Sequence, residues 1–487
     1  MSSDTAEQPT SPAPAPDAPA PDALPGTASH DPERPEPLLA LMTTGWAARE
    51  QQLPPPAAGA VPRAGRRRAL AEHFPGEWLV VPSGGPKVRS NDTDHPFRPG
   101  TELAHLVGSH EPHAVLVVDP DGAAVLYQVP SADRSTSAFF TDRMAGELWV
   151  GPRPSLAATG ALLGIATRPL DELDKLGGTA ARVVQGLDAR VEALFTGEPD
   201  RDVELAQFLS ELRLVKDEHE VGQLQAAVDA TVLGFEDVVR SLDRAKATSE
   251  RWIEGVFGLR ARVEGNDVGY GSICAAGAHA CTLHWTDNDG PVRDGDLVLL
   301  DMGVEGAELY TADITRTLPV SGRFTDRQRE VYDLVVDAQD AAFAACRPGA
   351  DFLDPHRAAM RVLAHGLVGL GVLDDAEAAL AEDDQRYRRW TLHGVSHMLG
   401  IDVHDCAHAR DETYRHGTLE PGMVLTIEPG LYFQPDDLLV PQELRGIGVR
   451  IEDDVLVTED GCRNLSAALP RASADVEKWM AGLTGPA

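Results

Sequence analysis

The sequence predicts an α+β protein in which a tail precedes two unequal domains. Three observations lead to this prediction. Residues 1–37 are rich in proline and alanine, residues 66 to about 200 carry short β-prone runs, and residues from about 250 to 465 contain an internal repeat. At roughly 100–200 residues per domain, a chain of 487 residues has room for about two or three domains and an ample core.

The composition excludes several classes of function. Asp and Glu number 77 against 43 Lys and Arg, a formal net charge of −34. This argues against nucleic acid or an anionic membrane as a partner, because both require a basic face. We see no apolar run long enough to span a membrane and no signal peptide. The five cysteines include no Cys-x-x-Cys pair and fit neither a disulfide framework nor a zinc ribbon. We therefore expect a soluble cytoplasmic protein.

The first 215 residues are predicted to hold the tail and the smaller domain. Residues 1–37 cannot bury enough apolar surface to offset the entropy of ordering, so we expect a disordered tail. Two β-prone runs at 114–118 and 124–127 flank Asp-Pro-Asp-Gly at 119–122, which suits a type I turn and predicts a hairpin. We assign a small α/β domain to 38–215 and the larger domain to 216–487.

Helices are predicted on either side of the domain boundary. Apolar residues recur with a helical period over 202–245, which indicates a helical connection between the domains. Thr325 and Gln328 form a capping box that opens a helix ending near Pro348. Asp354, before Pro355, is predicted to cap the next helix.

The internal repeat contributes four carboxylates. Residues 295–303 and 422–430 each have a glycine, an apolar β-prone run, a carboxylate (Asp301 or Glu428) and a second glycine. Each is followed by a further strand that carries another carboxylate, Asp313 or Glu452. One of them alone could face water or an arginine at a strand end. Four converging on a buried site would repel one another and could not all stay ionised, so we predict that they bind divalent cations.

A nitrogen ligand is expected between residues 392 and 405, where His393, His397 and His404 lie among apolar residues. Two glycines disfavour a helix here, and we expect a strand and loop lining a pocket. Carboxylates with one histidine, and no thiolate, favour Mn²⁺, with Co²⁺, Fe²⁺ or Zn²⁺ as alternatives. Such a set can hold two ions roughly 3.5–4 Å apart, which activate a bridging water as hydroxide and polarise a carbonyl. Hydrolysis of an amide is the natural reaction.

These motifs resemble those of the pita-bread metallopeptidases, the family of methionine aminopeptidase, prolidase, aminopeptidase P and the metal-free creatinase. The matching segments are Asp-Ile-Thr-Arg-Thr at 313–317, His-Gly-Val-Ser-His at 393–397, Glu-Pro-Gly at 428–430 and Arg-Ile-Glu-Asp-Asp at 450–454. The resemblance implies a pita-bread catalytic domain with a pseudo-two-fold repeat. Residues 89–98, 106–117 and 148–151 look like the N-terminal domain of aminopeptidase P. Together they imply an Xaa-Pro aminopeptidase, which removes the first residue from peptides whose second residue is proline.

The resemblance also implies a role for each metal ligand. Asp301 would hold one ion and His397 the other, while Asp313 and Glu452 would bridge the two. Glu428 would bind metal and act as the general base toward the bridging water. Asp301 and Asp313 are twelve residues apart, one more than the common family spacing.

Further residues match the substrate site of the family. His404 resembles the histidine that hydrogen-bonds near the scissile carbonyl, and His393 one that lines the proline pocket. His284 matches the histidine that closes over substrate, and Tyr270 should lie near the metals. Arg450, two residues before Glu452 on the same strand face, would orient a ligand.

Two residues depend on weaker matches. Glu102 stands where aminopeptidase P has an aspartate near the substrate amino group. Trp149 matches a tryptophan that a neighbouring subunit contributes, which implies a homo-oligomer, either a dimer or a tetramer.

Prolidase, which cuts Xaa-Pro dipeptides with the same ligands, is the alternative enzyme. A catalytically inactive pita-bread module that only binds peptides or proteins is the alternative from another class.

Overall fold

The computed structural model describes residues 34–47, 53–91 and 93–484. The chain divides into two units, which are described separately: Met1–Glu50 with Ser131–Arg153, and Gln51–Pro130 with Pro154–Ala487. Residues 1–33 of the predicted tail lie outside the described residues, so its disorder stays a prediction. The last two residues of the predicted tail, 36 and 37, belong to a helix that begins at Glu36.

The N-terminal part contains short helices and strands. The helices are α1 (Glu36–Met42), α2 (Ala60–His73), α3 (Thr101–Val107), α4 (Ala138–Thr141), α5 (Glu147–Val150), α6 (Leu156–Leu163), α7 (Ala189–Leu194) and α8 (Pro199–Leu212). The strands are β1 (Trp78–Pro82), β2 (Val88–Ser90), β3 (Thr93–Asp94), β4 (Val115–Val118), β5 (Ala124–Gln128), β6 (Ala166–Pro169) and β7 (Ala181–Val183).

The first unit contains α1, α4 and α5. The ring of Trp46 packs against Phe139 and Phe140, with centroid distances of 6.2 and 6.4 Å. Residues 132 and 146 form a parallel bridge. These aromatic contacts join the segment after α1 to α4.

The second unit begins with a five-stranded sheet in the order β6-β5-β4-β1-β7. The predicted hairpin is confirmed: β4 and β5 pair antiparallel, and the Gly122 N–H donates to the Asp119 carbonyl at 2.9 Å. Leu79 faces the core shared with α2, α3 and α8, and Val80 faces the core on the other side of the sheet. Burial of both faces explains why these strands read as continuous apolar runs.

The C-terminal part has longer helices. They are α9 (Glu218–Arg240), α10 (Leu242–Ala247), α11 (Glu250–Glu264), α12 (Asp326–Ala345), α13 (Asp354–Gly369), α14 (Ala376–Leu380) and α15 (Ser473–Thr484). The strands are β8 (Asp267–Val268), β9 (Ile273–Ala276), β10 (Leu297–Met302), β11 (Val304–Glu305), β12 (Ile314–Pro319), β13 (Val424–Ile427), β14 (Gly430–Tyr432), β15 (Gly448–Arg450), β16 (Asp453–Val457) and β17 (Cys462–Asn464).

The helical predictions hold with small shifts. Helices α8, α9 and α10 span the predicted helical connection. The domain boundary at 215/216 lies between α8 and α9 and stays a prediction. Thr325 and Gln328 form the expected capping box on α12. The prediction that Asp354 caps α13 is wrong by one residue. Asp354 is the first helical residue, and its carboxylate accepts from the preceding Asp351 N–H instead of from the helix.

The repeated segments form two antiparallel strand pairs. β10 pairs with β12 and β9, while β13 pairs with β16, which in turn pairs with β17. The fully buried Gln339 of α12 donates to the carbonyls of Ile427 and Ile451 at 3.0 and 3.2 Å. This one amide therefore fixes the backbone immediately before Glu428 and Glu452. In the part of the chain that the structure describes, no helix combines the length and apolar character needed to cross a membrane.

Candidate metal centre

The four repeated carboxylates lie at the ends of paired strands. Asp301 is on β10, Asp313 directly precedes β12, Glu428 directly follows β13 and Glu452 directly precedes β16. Glu428 is half-buried and the other three are buried. The two halves of the repeat meet at this point, because the Glu452 N–H donates to the carbonyl of Thr315 at 3.0 Å.

Three side chains converge tightly. Asp313, His397 and Glu452 each offer a ligand atom, and these atoms all lie within 4.8 Å of one another. Asp301 lies beside Asp313, since Tyr270 Oη is 2.7 Å from Asp301 Oδ1 and 2.5 Å from Asp313 Oδ1. A phenol has one proton, so Tyr270 donates to one of them at a time. The extra residue between the two aspartates therefore leaves both facing the same point.

His397 joins the carboxylates from an irregular segment, so the strand predicted for residues 392–405 is wrong and the loop is confirmed. Its Nε2 lies 3.3 Å from Asp313 Oδ2 and 3.8 Å from Glu428 Oε1. Its Nδ1 lies 3.1 Å from the Met398 carbonyl, which leaves Nε2 to face the cluster. Burial lowers its pKa, but the hydrogen bond to Asp313 and the neighbouring negative charges outweigh burial and raise the pKa to about 9.

The electrostatics of the cluster fit divalent cations. Burial and the charges of Asp313 and Glu428 hold the pKa of Glu452 well above its ordinary value. Burial and the charge of Asp301 likewise raise the pKa of Asp313. These carboxylates cannot all be ionised on their own, and a divalent cation removes the repulsion. An oxygen-rich donor set with one imidazole suits Mn²⁺ and similar ions, so the residues present fit the metal that the sequence predicted.

Arg450 and Tyr432 connect the cluster to His393. Arg450 is buried and donates to Asp301 Oδ2 at 2.6 Å and to Tyr432 Oη at 3.0 Å. The same phenol oxygen is 2.8 Å from His393 Nε2, and His393 Nδ1 lies 3.4 Å from Glu428 Oε2. The sequence analysis missed Tyr432. Its position on β14, two residues after Glu-Pro-Gly, was the available signal.

The other two predicted histidines are exposed. The ring of His404 lies against His397, with centroids 4.4 Å apart at 77°. The part of the His404 ring that lies against His397 is shielded from water; this partial desolvation lowers the pKa of His404, and the charges of His397 and, more weakly, His284 act in the same direction. His284 lies in a turn after the 3₁₀ helix Gly277–Cys281. The structure therefore brings His404 to the cluster, and the charge of His284 acts on the pKa of His404.

Glu102 and Trp149 are held by other contacts. Glu102 on α3 pairs with Arg213 at 3.3 Å. Trp149 on α5, in the first unit, donates from its indole to the Phe140 carbonyl at 2.9 Å and is 42% exposed. Neither residue takes part in the ligand cluster described above.

A second buried ionic cluster lies under the histidine segment, and the sequence analysis missed it. Asp405 follows His404 directly and pairs with Arg213 at 2.9 Å and Lys216 at 3.4 Å. All three side chains are at most 3% exposed. The available signal was a pair of cations, Arg213 and Lys216, among the apolar residues directly after α8.

Comparison with known proteins identifies the family. Residues 222–459 match metallopeptidase family M24, and residues 64–184 match the aminopeptidase P N-terminal domain. The chain is 58% identical over 455 residues to Xaa-Pro aminopeptidase 1 of Streptomyces coelicolor, covering 91% of this chain and 92% of that protein. The chain belongs to the Xaa-Pro aminopeptidase family of metallopeptidases.

Two further members of this family are similar to the chain over most of its length. Xaa-Pro aminopeptidase 2 of the same organism is 55% identical, over 92% of this chain and 97% of that protein. Among solved structures, aminopeptidase P from E. coli with the inhibitor Pro-Leu has a TM-score of 0.78 at 31% identity, covering 88% of this chain and all of that one. Family membership makes the chain a peptidase and confirms the predicted fold class, an N-terminal aminopeptidase P domain followed by a pita-bread domain.

Proposed function

We propose that the chain is a dinuclear-metal aminopeptidase that hydrolyses the first peptide bond of substrates with proline in second position. The observation that carries this proposal is the convergence of Asp313, His397 and Glu452 next to Asp301 and Glu428. The names of the Streptomyces relatives support the substrate, since both are Xaa-Pro aminopeptidases.

The five side chains would hold two divalent cations. Asp301 and His397 would each serve one ion, and Asp313, Glu428 and Glu452 would complete the set. We propose Mn²⁺ as the metal, with Co²⁺, Fe²⁺ or Zn²⁺ as alternatives. When bound, such ions act as Lewis acids that lower the pKa of a water and polarise the peptide carbonyl.

Glu428 is the proposed general base. Burial raises the pKa of this carboxylate, but the hydrogen bond to His393 and the positive charges around it outweigh burial, so the pKa lies below its ordinary value. The ionised carboxylate can accept the proton of the attacking water. Its backbone is fixed, because the Glu428 N–H donates to the Val395 carbonyl at 2.8 Å.

Other side chains would position the substrate. His404 would hydrogen-bond near the scissile carbonyl, His393 would line the proline pocket and His284 would close over the peptide. Arg450 orients Asp301 through its 2.6 Å hydrogen bond. The Tyr270 hydroxyl restrains Asp301 and Asp313, donating a hydrogen bond to one of them at a time.

Some parts of the proposal rest on the sequence alone. A homo-oligomer, with Trp149 reaching a neighbouring subunit, and a contact of Glu102 with the substrate amino group follow from the family resemblance. A cytoplasmic location and the absence of nucleic-acid and membrane partners follow from composition and charge.

The first experiment compares substrates by mass spectrometry. Chelator-stripped enzyme is given an Xaa-Pro-Yaa tripeptide and the matching Xaa-Pro dipeptide, with and without Mn²⁺. Metal-dependent release of the first residue from the tripeptide is the expected result. Cleavage of the dipeptide alone would indicate a prolidase. Turnover of neither with any candidate metal would indicate a binding module.

The second experiment tests the base. Glu428→Gln should lower kcat about 100-fold or more while bound Mn²⁺ is still detected by elemental analysis. The matched control is Glu459→Gln, the same change at an exposed site after β16, which should behave as wild type. Full recovery of Glu428→Gln in excess Mn²⁺ would show that Glu428 is only a ligand.

A further inference from the structure

A fully buried carboxylate outside the metal cluster has four hydrogen-bond donors around it. Glu250 is the first residue of α11 and is 0% exposed. Its Oε1 accepts from the Ala276 N–H at 2.7 Å and lies 2.9 Å from His279 Nδ1. Its Oε2 accepts from Trp285 Nε1 at 2.9 Å and from the Gly290 N–H at 2.7 Å. Burying a carboxylate is costly unless its acceptor sites are used, and here they are.

Three of these donors belong to one loop, and the fourth, the Ala276 N–H, comes from the residue directly before it. Residues 277–290, which we name the His284 loop, leave β9 after Ala276 and return to Glu250 at Gly290. The loop also accepts from the Glu250 N–H through the Gly290 carbonyl at 2.9 Å. The rings of His279 and Trp285 stack with centroids 3.9 Å apart and planes 24° apart. One carboxylate therefore fastens both ends of the loop and its stacked pair.

The fit at the closing point leaves room only for glycine. A Cβ on Gly290 would lie 2.3 Å from His279 Cε1 and 2.9 Å from Glu250 Oε2. The loop backbone thus approaches the carboxylate as closely as the chain allows, and a side chain there would push the two apart.

His284 projects from this loop as an exposed side chain, and its charge contributes to the lowered pKa of His404. An exposed residue in an irregular loop samples many conformations, and ordering it costs conformational entropy. A loop fastened before substrate arrives avoids that loss when substrate binds. The middle of the loop is also tied, since Gln434 Nε2 donates to the Cys281 carbonyl at 2.7 Å.

We propose that Glu250 is a positioning residue that holds the His284 loop in the conformation that presents His284 to the substrate. The role rests on the proposed function, in which His284 closes over the peptide. Glu250 touches neither the metal cluster nor substrate and acts only through the loop.

The informative substitution is Glu250→Gln. Each carboxylate oxygen accepts from one backbone N–H, so the amide NH₂ of glutamine would face an N–H group in either orientation and lose at least that hydrogen bond. The control is Glu254→Gln, the same change at an exposed position on the same helix. Trp285→Phe is a milder second variant, which removes one donor and keeps an aromatic ring beside His279.

The kinetic test is a double-mutant cycle with His284→Ala. Glu250→Gln should lower kcat/KM about 10- to 100-fold, as expected from a misplaced group, and Trp285→Phe should lower it less. In the His284→Ala background, Glu250→Gln should have no further effect. Independent losses that multiply in the double variant, or wild-type kinetics in Glu250→Gln, would overturn the proposal.

Hydrogen exchange provides a readout that does not require activity. In Glu250→Gln, peptides from 277–290 should exchange at least tenfold faster, while peptides from β10 and α12 keep wild-type rates. Unchanged exchange in the loop would refute the positioning role. If wild-type protein cleaves no Xaa-Pro peptide, the proposed function fails, and exchange still decides whether Glu250 fastens the loop.

Discussion

Removing the charge of Asp405 should destabilise the protein through the two cations it pairs with. Asp405 lies between Arg213 and Lys216, and the nearest further anion is Glu102, 3.3 Å from Arg213. The four side chains together carry two positive and two negative charges. Asp405→Asn keeps the shape of the side chain and leaves this buried group with one uncompensated positive charge.

The magnitude follows from the burial of the pair. Breaking a buried ion pair by removing one partner costs about 3–5 kcal/mol. Arg213 keeps hydrogen bonds to the Leu209 carbonyl and to Glu102, so we expect the lower end, about 3 kcal/mol. At 1.4 kcal/mol per factor of ten, this is a ~150-fold smaller folding constant. Because Asp405 supports the segment of His397 and His404, kcat should fall as well.

The assay is urea unfolding of the metal-free protein, followed by tryptophan fluorescence. The exposed Asp411→Asn, in the same region, is the matched control and should unfold at the wild-type midpoint. The double variant Asp405→Asn with Lys216→Met restores charge balance and should recover at least half of the lost stability. If the double variant is no more stable than Asp405→Asn alone, the argument from buried charge is wrong.

Three further predictions concern pH, backbone fit and metal affinity. Three hydrogen bonds from Arg410, two from its guanidinium and one from its backbone N–H, lower the pKa of Glu211 to about 2. Wild type should therefore melt higher than Glu211→Gln above pH 4.5, with the difference vanishing as pH falls toward 2; a constant difference would contradict this. A Cβ on Gly303 would lie 1.7 Å from the Ala312 carbonyl oxygen, so Gly303→Ala should lower the melting temperature and weaken Mn²⁺ binding. A wild-type melting temperature and a wild-type Mn²⁺ affinity, both measured by calorimetry, would refute this prediction. Asp313→Asn should weaken Mn²⁺ binding about tenfold or more by titration calorimetry, whereas wild-type affinity would remove Asp313 from the ligand set.

Local patterns predicted much of the fold and the candidate site. The hairpin around Asp119 and Gly122 and the capping box of Thr325 depend on neighbours within a few residues, so the sequence alone predicts them. Asp301 and Glu428 were found because a repeated strand pattern carries them to equivalent places. His397 was harder to single out, since its segment is irregular and three histidines compete within it.

The hairpin, the capping box, the repeat and the family could be predicted because each depends on a short motif or on local periodicity. Which distant charged groups pair with one another became visible only in the folded chain. Glu250 faces donors up to 40 residues away, and Asp405 meets Arg213 across 192 positions. Nothing in the local sequence marks such partners, because the cost of burying a charge depends on what the folded chain brings to it.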